Sequence, residues 1–265
     1  MMQMSMKKIK AYLWKLFYFI NEKHFTFKGH TVNYLFKDCK SDKLCVVFSA
    51  FPLKGTMPGY NYVRTLWNRG GGVNLLYICD DMVKIPTGGS YYLGNNGDYW
   101  GIEAVEALIK RITDRGQYNK KIAVGSSKGG TAALIFGIEL NFDAIIIGAC
   151  QYKIGTYLNC DYHYKSLQAL TGMEHVGADT IKMLDSITEK IIHEHKDAST
   201  EIWFHYSTEE HTYKEQIQGL LADLRSNGYE LHEDIMRYSN HADVAKYFPE
   251  YLEKTLDYLL KEGCN

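Results

Sequence analysis

One stretch constrains this chain more than any other: Val124-Gly125-Ser126-Ser127-Lys128-Gly129-Gly130. The apolar run Ile122-Ala123-Val124 enters it, and a helix-like run from Thr131 to Leu140 leaves it. G-x-S-x-G between a strand and a helix reads as a nucleophile elbow. The sharp turn holds the central Ser127 in a strained backbone conformation and lifts its hydroxyl above the sheet. Strand and helix pass close together there, so the residues two before and two after must be small, as Gly125 and Gly129 are. Gly130, Ala132 and Ala133 let the helix lie tight on a sheet, and its N-terminus points at any negative charge forming beside the serine. A plain glycine-rich strand-to-helix turn would use the same residues, so the rest of the chain has to decide.

Along the chain, Phe25 to Lys28 and Thr31 to Phe36 alternate around Gly29-His30 and predict an antiparallel hairpin. Leu44 to Ser49, Val73 to Cys79 and Ala144 to Gly148 are continuous apolar runs, the pattern of strands covered on both faces. Tyr60 to Arg69 predicts a helix ended by Gly70-Gly71-Gly72, and Ile102 to Arg115 has helical apolar spacing. The long polar loop Asp80 to Asp98 is of a kind that usually serves function. Glu201 to Tyr206 and Glu230 to Met236 are further strands, Thr212 to Asn227 a helix, and Val244 to Leu260 a closing helix that Pro249 should break or restart. This alternation predicts an α/β fold, a mainly parallel doubly wound sheet with an antiparallel hairpin at its start. Between two strands, residues 149–200 change character, being polar and tyrosine-rich and then helical from Ala178 to His195, so they read as a cap inserted over the sheet edge.

The chain of 265 residues, 46% of them hydrophobic, suffices for one large domain spanning 24–265 with that insertion. A net charge of -1 gives no field that favours nucleic acid. Six cysteines without a C-x-x-C pair read as reduced thiols of a cytoplasmic protein. Residues 1–23 form no secretory signal, because Lys15 interrupts the apolar run and no cleavage site follows. They predict an amphipathic helix with Ile9, Leu13, Leu16, Phe17 and Ile20 on one face. It either packs on the domain or touches the inner face of the membrane through Lys7, Lys8 and Lys10. Twenty-one Tyr and four Trp fit an aromatic core or a cleft lined with rings that stack on sugars, and Tyr92 is a candidate substrate contact.

An activated serine needs a base, and the base an orienting acid. In an elbow fold these follow the serine in the order acid, base, each just after a strand. The strand at Ile202 runs into Ser207-Thr208-Glu209-Glu210, which makes Glu210 the first choice of acid and Glu209 the second. The last strand runs into Tyr238-Ser239-Asn240-His241, which makes His241 the base. An oxyanion hole needs two backbone N–H groups: Lys128 supplies one, and Ala50 or Phe51 after the Leu44 strand the other. The Lys128 side chain either pairs at the surface or attracts an anionic substrate such as a phosphodiester-linked glycan or a coenzyme phosphate. Asp98, with Asn95 and Asn96, either binds a sugar hydroxyl or only shapes a turn. His193 and His195 stand two apart on a helix and face away from each other, so no metal site is expected there. No phosphate-binding loop, dinucleotide fingerprint or zinc spacing occurs.

Taken together, Phe48-Ser49-Ala50-Phe51, Ser90-Tyr91-Tyr92-Leu93-Gly94, Gly97-Asp98, the Gly125 to Gly130 motif and Asn240-His241 resemble one branch of the α/β-hydrolases. That branch holds capsular polysaccharide biosynthesis proteins, including capsule O-acetyltransferases, and is similar to the glycan-acetylating component of the accessory Sec system. The resemblance spans roughly Leu44 to Leu260. It implies Ser127 as nucleophile, His241 as base and Glu210 as acid, where the family usually has Asp. It also implies acetyl-CoA as the acyl donor and a polysaccharide or glycan as the acceptor, at the cytosolic face. The same triad would serve a carboxylesterase or glycan deacetylase, and the same fold could scaffold a non-catalytic export or assembly partner.

Overall fold

The computed structural model describes residues 6–69, 72–196 and 199–261, and side chains from residue 13 onward. Gly70-Gly71, Met1 to Ser5, Cys264 and the side chains of Lys7, Lys8, Ile9 and Lys10 lie outside the described set. In chain order the elements are α1 (Met6–Asn21), β1 (Glu22–Phe27), β2 (His30–Lys37), β3 (Lys43–Phe48), α2 (Val63–Leu66), β4 (Asn74–Ile78) and α3 (Gly101–Arg115). Then come β5 (Lys120–Ser126), α4 (Lys128–Glu139), β6 (Ala144–Gly148), α5 (Ile154–Leu158), α6 (Tyr164–Thr171), α7 (Ala178–Glu194) and β7 (Glu201–Ser207). The chain closes with α8 (Gln218–Ser226), β8 (Glu230–Met236) and α9 (Val244–Lys261).

The eight strands form one sheet in the order β1-β2-β4-β3-β5-β6-β7-β8. β1, β2 and β4 pair antiparallel, and every other neighbouring pair is parallel. The opening hairpin turns on Lys28 and Gly29, both at positive φ (47° and 85°), the tight turn whose twist matches the strands it joins. Period-two alternation divides each central strand between two cores. Leu44, Val46 and Phe48 face the layer of α3, α4, α7 and α8, whereas Cys45 and Val47 face that of α2 and α9. Both faces are therefore covered, which is why these strands read as unbroken apolar runs.

Three expected elements differ in detail. The helix expected over Tyr60 to Arg69 shrinks to the single turn of α2, because Tyr62 just before it sits at φ 58°, outside the helical region. The helix after β7 opens with a π-helical turn, Tyr213–Ile217, before α8. Pro249 does not break α9. Its missing N–H removes one bond near the start, and Phe248, Leu252, Leu256 and Leu259, all buried, hold the helix on the sheet regardless.

Residues 149–200 hold α5, α6 and α7. Leu184 and Ile192 of α7 enter the core shared with α4, while the segment from Thr156 to His163 stands over the carboxyl ends of the strands. Helix α1 packs one side on the domain: Phe17 meets Trp67 edge-on, Tyr18 meets Tyr60, and Trp14 takes the Arg64 guanidinium on its face. Leu13, Leu16, Phe19 and Ile20 stay exposed. Among the described residues, no helix is long and apolar enough to cross a membrane.

Candidate active site

Ser127 sits between β5 and α4 at φ 50°, ψ -129°, a strained conformation for a residue with a side chain. The crowding behind it is severe. A Cβ on Gly125 would lie 2.0 Å from the Gly129 carbonyl oxygen, and one on Gly129 would lie 2.5 Å from the Phe48 carbonyl oxygen. Only glycine lets strand and helix approach this closely.

The structure brings the three expected side chains into one line. Ser127 Oγ lies 2.9 Å from His241 Nε2, and His241 Nδ1 lies 3.2 Å from Glu210 Oε2. His241 begins a short 3₁₀ turn capped by Asn240, whose side chain accepts from the Ala242 N–H. Glu210 is buried, and its second oxygen accepts from Thr212 Oγ1. Glu209, the alternative acid, is turned to solvent. Ser207 joins the two loops: its hydroxyl donates to the Tyr238 carbonyl and accepts from the N–H groups of Tyr238 and Glu209. That staple fixes the Glu210 loop against the His241 loop.

Of the two candidates for the second oxyanion donor, Ala50 already gives its N–H to Asn61 Oδ1 at 2.9 Å. The Phe51 and Lys128 amides have no acceptor among the described residues, so of the three candidate amides only these two remain unbonded.

Neither expectation for the Lys128 side chain holds. It is 1% exposed and its ammonium lies 2.7 Å from the fully buried Asp80 carboxylate, over the Tyr92 ring at 4.8 Å. It is neither a surface pair nor a free cation in the cleft, because the first turn of α4 lies under the 80–98 loop. Asp80 also accepts from the Ser90 N–H and hydroxyl, each at 2.8 Å, so the pair ties that loop to the elbow.

Tyr92 also departs from expectation. It is wholly buried, with its hydroxyl donating to the Ile78 carbonyl and meeting Ser49, so it joins the ends of β3 and β4 and lies away from the cleft. Asp98 lies outside the cleft as well, its backbone paired with Asn95 in a turn and its carboxylate 3.5 Å from His30. The turn alternative accounts for it. His193 and His195 pair separately, with Asp223 and Glu139, and no metal-binding cluster occurs among the described residues. The five described cysteines are free.

Ser127 and His241 open into a cavity of about 940 Å³, within the range of small-molecule sites. Its walls include Phe51, Tyr60, Tyr157, Tyr162, His163 and His211. His163 lies against Phe51 with ring centres 4.4 Å apart and planes tilted by 34°. Burial, and then the nearby His241, push its pKa down to about 4, so the imidazole stays neutral at neutral pH. Burial also pushes up the phenol of Tyr157, which faces Ser127 from α5 and stays protonated.

Sequence reasoning missed His163, Asn61, Ser207 and Gln151, whose amide reaches Ser127 Oγ from below at 3.3 Å. For Gln151 a signal existed, since it follows the carboxyl end of a central parallel strand, where such sheets place their sites.

This sheet order, with a serine at a strained elbow and an acid and histidine after the last two strands, defines an α/β-hydrolase fold. Solved structures agree. The capsule O-acetyltransferase of Neisseria meningitidis serogroup A, as a histidine-to-alanine mutant in complex with CoA, superposes with a TM-score of 0.71 at 21% identity, covering 89% of this chain and 94% of that one. A chain of the glycosylation-associated protein complex from Streptococcus agalactiae gives 0.74 at 17% identity, covering 92% of this chain and 47% of that one. The fluorophosphonate-binding serine hydrolase F of Staphylococcus aureus, substrate bound, gives 0.63 at 12% identity, covering 91% and 98%. At such identities the shared property is the fold. No protein-family model matches the chain, and no curated protein matches it.

Proposed function

We propose that this protein is a serine O-acyltransferase that moves an acetyl group from acetyl-CoA to a hydroxyl of a capsular or cell-surface polysaccharide, or its precursor. The observation that carries the reading is the continuous line from Ser127 Oγ through His241 to buried Glu210. His241 removes the Oγ proton as Oγ attacks the acyl carbonyl. The Lys128 and Phe51 amides receive the oxyanion. Collapse breaks the carbon–sulfur bond, and the imidazolium returns its proton to the departing thiolate. In the second half, His241 takes a proton from the acceptor hydroxyl as its oxygen attacks the acyl carbon; the carbon–Oγ bond then breaks and the imidazolium returns the proton to Ser127 Oγ. Glu210 steadies the imidazolium in both halves.

Support for the donor and acceptor comes from two sides. A neighbour of the same fold is a capsule O-acetyltransferase in complex with CoA. The cavity walls are rich in rings suited to stacking on sugars. The exposed Leu13, Leu16, Phe19 and Ile20 on α1, beside the lysines of the same segment, favour peripheral contact with the inner face of the membrane.

The test is mass spectrometry of the Ser127 peptide after exposure to acetyl-CoA, with and without polysaccharide. Acetylated Ser127 that is discharged faster by polysaccharide than by water supports the reading. Release of acetate from acetylated glycans without any dependence on coenzyme would make it a deacetylase with the same residues. A Ser127→Ala variant that keeps full activity would return the fold to a scaffold role.

A further inference from the structure

We infer that Gln151 is a catalytic residue, whose side-chain amide aims the Ser127 proton at His241 and stabilises the charge on Oγ as it attacks and as it leaves. The inference rests on the reading of Ser127 as the nucleophile.

Gln151 is fully buried and does not line the cavity, so it approaches Ser127 from beneath and binds no substrate. Its backbone is clamped to α4, because Thr131 Oγ1 donates to the Gln151 carbonyl at 2.8 Å and accepts from its N–H at 2.9 Å. Its amide is fixed as firmly. Nε2 lies 3.2 Å from the Ala149 carbonyl, which can only accept, so that end of the side chain is the NH₂ group. The other hydrogen of that group points to Ser127 Oγ at 3.3 Å. Oε1 accepts from the Tyr91 hydroxyl at 3.0 Å. Burial holds the Tyr91 phenol well above its usual pKa, so it remains a donor. Both amide hydrogens and the amide oxygen thus have partners, and a flipped amide would oppose two acceptors at Ala149.

The chemical consequence follows from the valence of a hydroxyl, which has one proton and two lone pairs. An N–H can only donate, so Oγ must accept on the Gln151 side. Its own proton is then free for His241 Nε2, 2.9 Å away. That arrangement requires the imidazole tautomer with hydrogen on Nδ1, the one facing Glu210. When His241 takes the proton, Oγ gains negative charge and the bond from Gln151 becomes charge-assisted, roughly twice as strong as a neutral one. In the second half the electron pair of the carbon–Oγ bond returns to Oγ and the imidazolium returns the proton. The same amide meets that charge. Both barriers fall, while binding of the acyl donor is untouched.

The long loop after β4 gains a purpose here. It carries Tyr91 under the elbow at φ 55°, a conformation that tyrosine rarely adopts.

The experiment uses the full chain and a fluorophosphonate probe, with the labelling rate followed against pH and KM measured with an aryl acetate. Ser127→Ala is the control. Gln151→Met removes the donor at similar volume. It should slow labelling roughly 10- to 100-fold, at or below the lower end of the roughly 10²- to 10³-fold that one lost oxyanion donor costs, because this bond is longer, with KM for the aryl acetate within about twofold. Tyr91→Phe should slow it roughly 3- to 10-fold, because the amide remains but is held less firmly. Gln151→Glu adds a reading that a purely structural role would not move. Ionised glutamate cannot donate, but the protonated acid can, so its rate relative to the unaltered protein should rise as pH falls. Labelling of Gln151→Met within twofold of the unaltered protein, with Ser127→Ala unlabelled, overturns this inference and leaves the nucleophile in place. Labelling that survives Ser127→Ala overturns the nucleophile and this inference with it. If Gln151→Met fails to fold, the other two variants decide. A flat Gln151→Glu ratio together with an unchanged Tyr91→Phe rate then overturns it.

Discussion

Lys128→Met removes an ammonium from the interior and leaves the Asp80 carboxylate behind with nowhere to go. Both groups are buried, at 1% and 0% exposure, with nitrogen and oxygen 2.7 Å apart. Breaking a buried pair from one side costs about 3–5 kcal/mol, because the remaining charge has lost its partner without regaining water. Here Asp80 keeps two hydrogen bonds from Ser90, which offset part of that cost. The lower end, about 3 kcal/mol, is therefore the expected loss. Against a total stability of about 5–15 kcal/mol this is large. For a domain of this size it should lower the melting temperature by roughly 6–12 °C. Urea unfolding measures it directly. Adding Asp80→Asn to Lys128→Met should recover more than half of the loss, since no unpaired charge then remains. A single-variant loss below about 0.5 kcal/mol, or a double variant that loses the full sum of the two singles, would refute the reasoning.

Three further outcomes are expected. Glu210→Ala should cut turnover of an aryl ester by roughly 10²- to 10⁴-fold, with Glu209→Ala within about twofold, as steady-state rates will report. His163 has a lowered native pKa, so between about pH 6.5 and about 4 the unfolded chain takes up a proton there that the folded chain refuses. Stability should fall with pH across that window. His163→Phe should flatten the fall in urea titrations at several pH values, and an unchanged slope would reject the assignment. Phe19→Glu on the exposed side of α1 should weaken co-sedimentation with anionic vesicles and leave ester turnover intact. Undiminished co-sedimentation would argue against membrane contact through this face.

The sequence by itself determined the sheet and the elbow. Strands buried on both faces must be apolar throughout, and Gly125 and Gly129 are demanded by carbonyl oxygens 2.0 and 2.5 Å from any added Cβ, so both left plain marks in the residue order. The order of Ser127, Glu210 and His241 was legible too, because each follows a strand, and strand ends can be counted along a chain. Tertiary structure decided what depends on direction and depth. Adjacent Glu209 and Glu210 differ only in which one the loop stapled by Ser207 turns inward. Lys128 looked like a surface or substrate-facing cation and Tyr92 like a substrate contact, yet the 80–98 loop folds down on the elbow, burying Lys128 against Asp80 and tucking its own Tyr92 onto the end of β4 as an internal strut. Pro249, a helix breaker locally, stays within α9 because the helix's buried apolar face is held on the sheet. Gln151 carries no motif, and only its place after the end of β6 could be read from the sequence. Its bearing on Ser127 comes from a strand end, a helix threonine and a distant loop tyrosine meeting in space, and no local pattern encodes such a meeting.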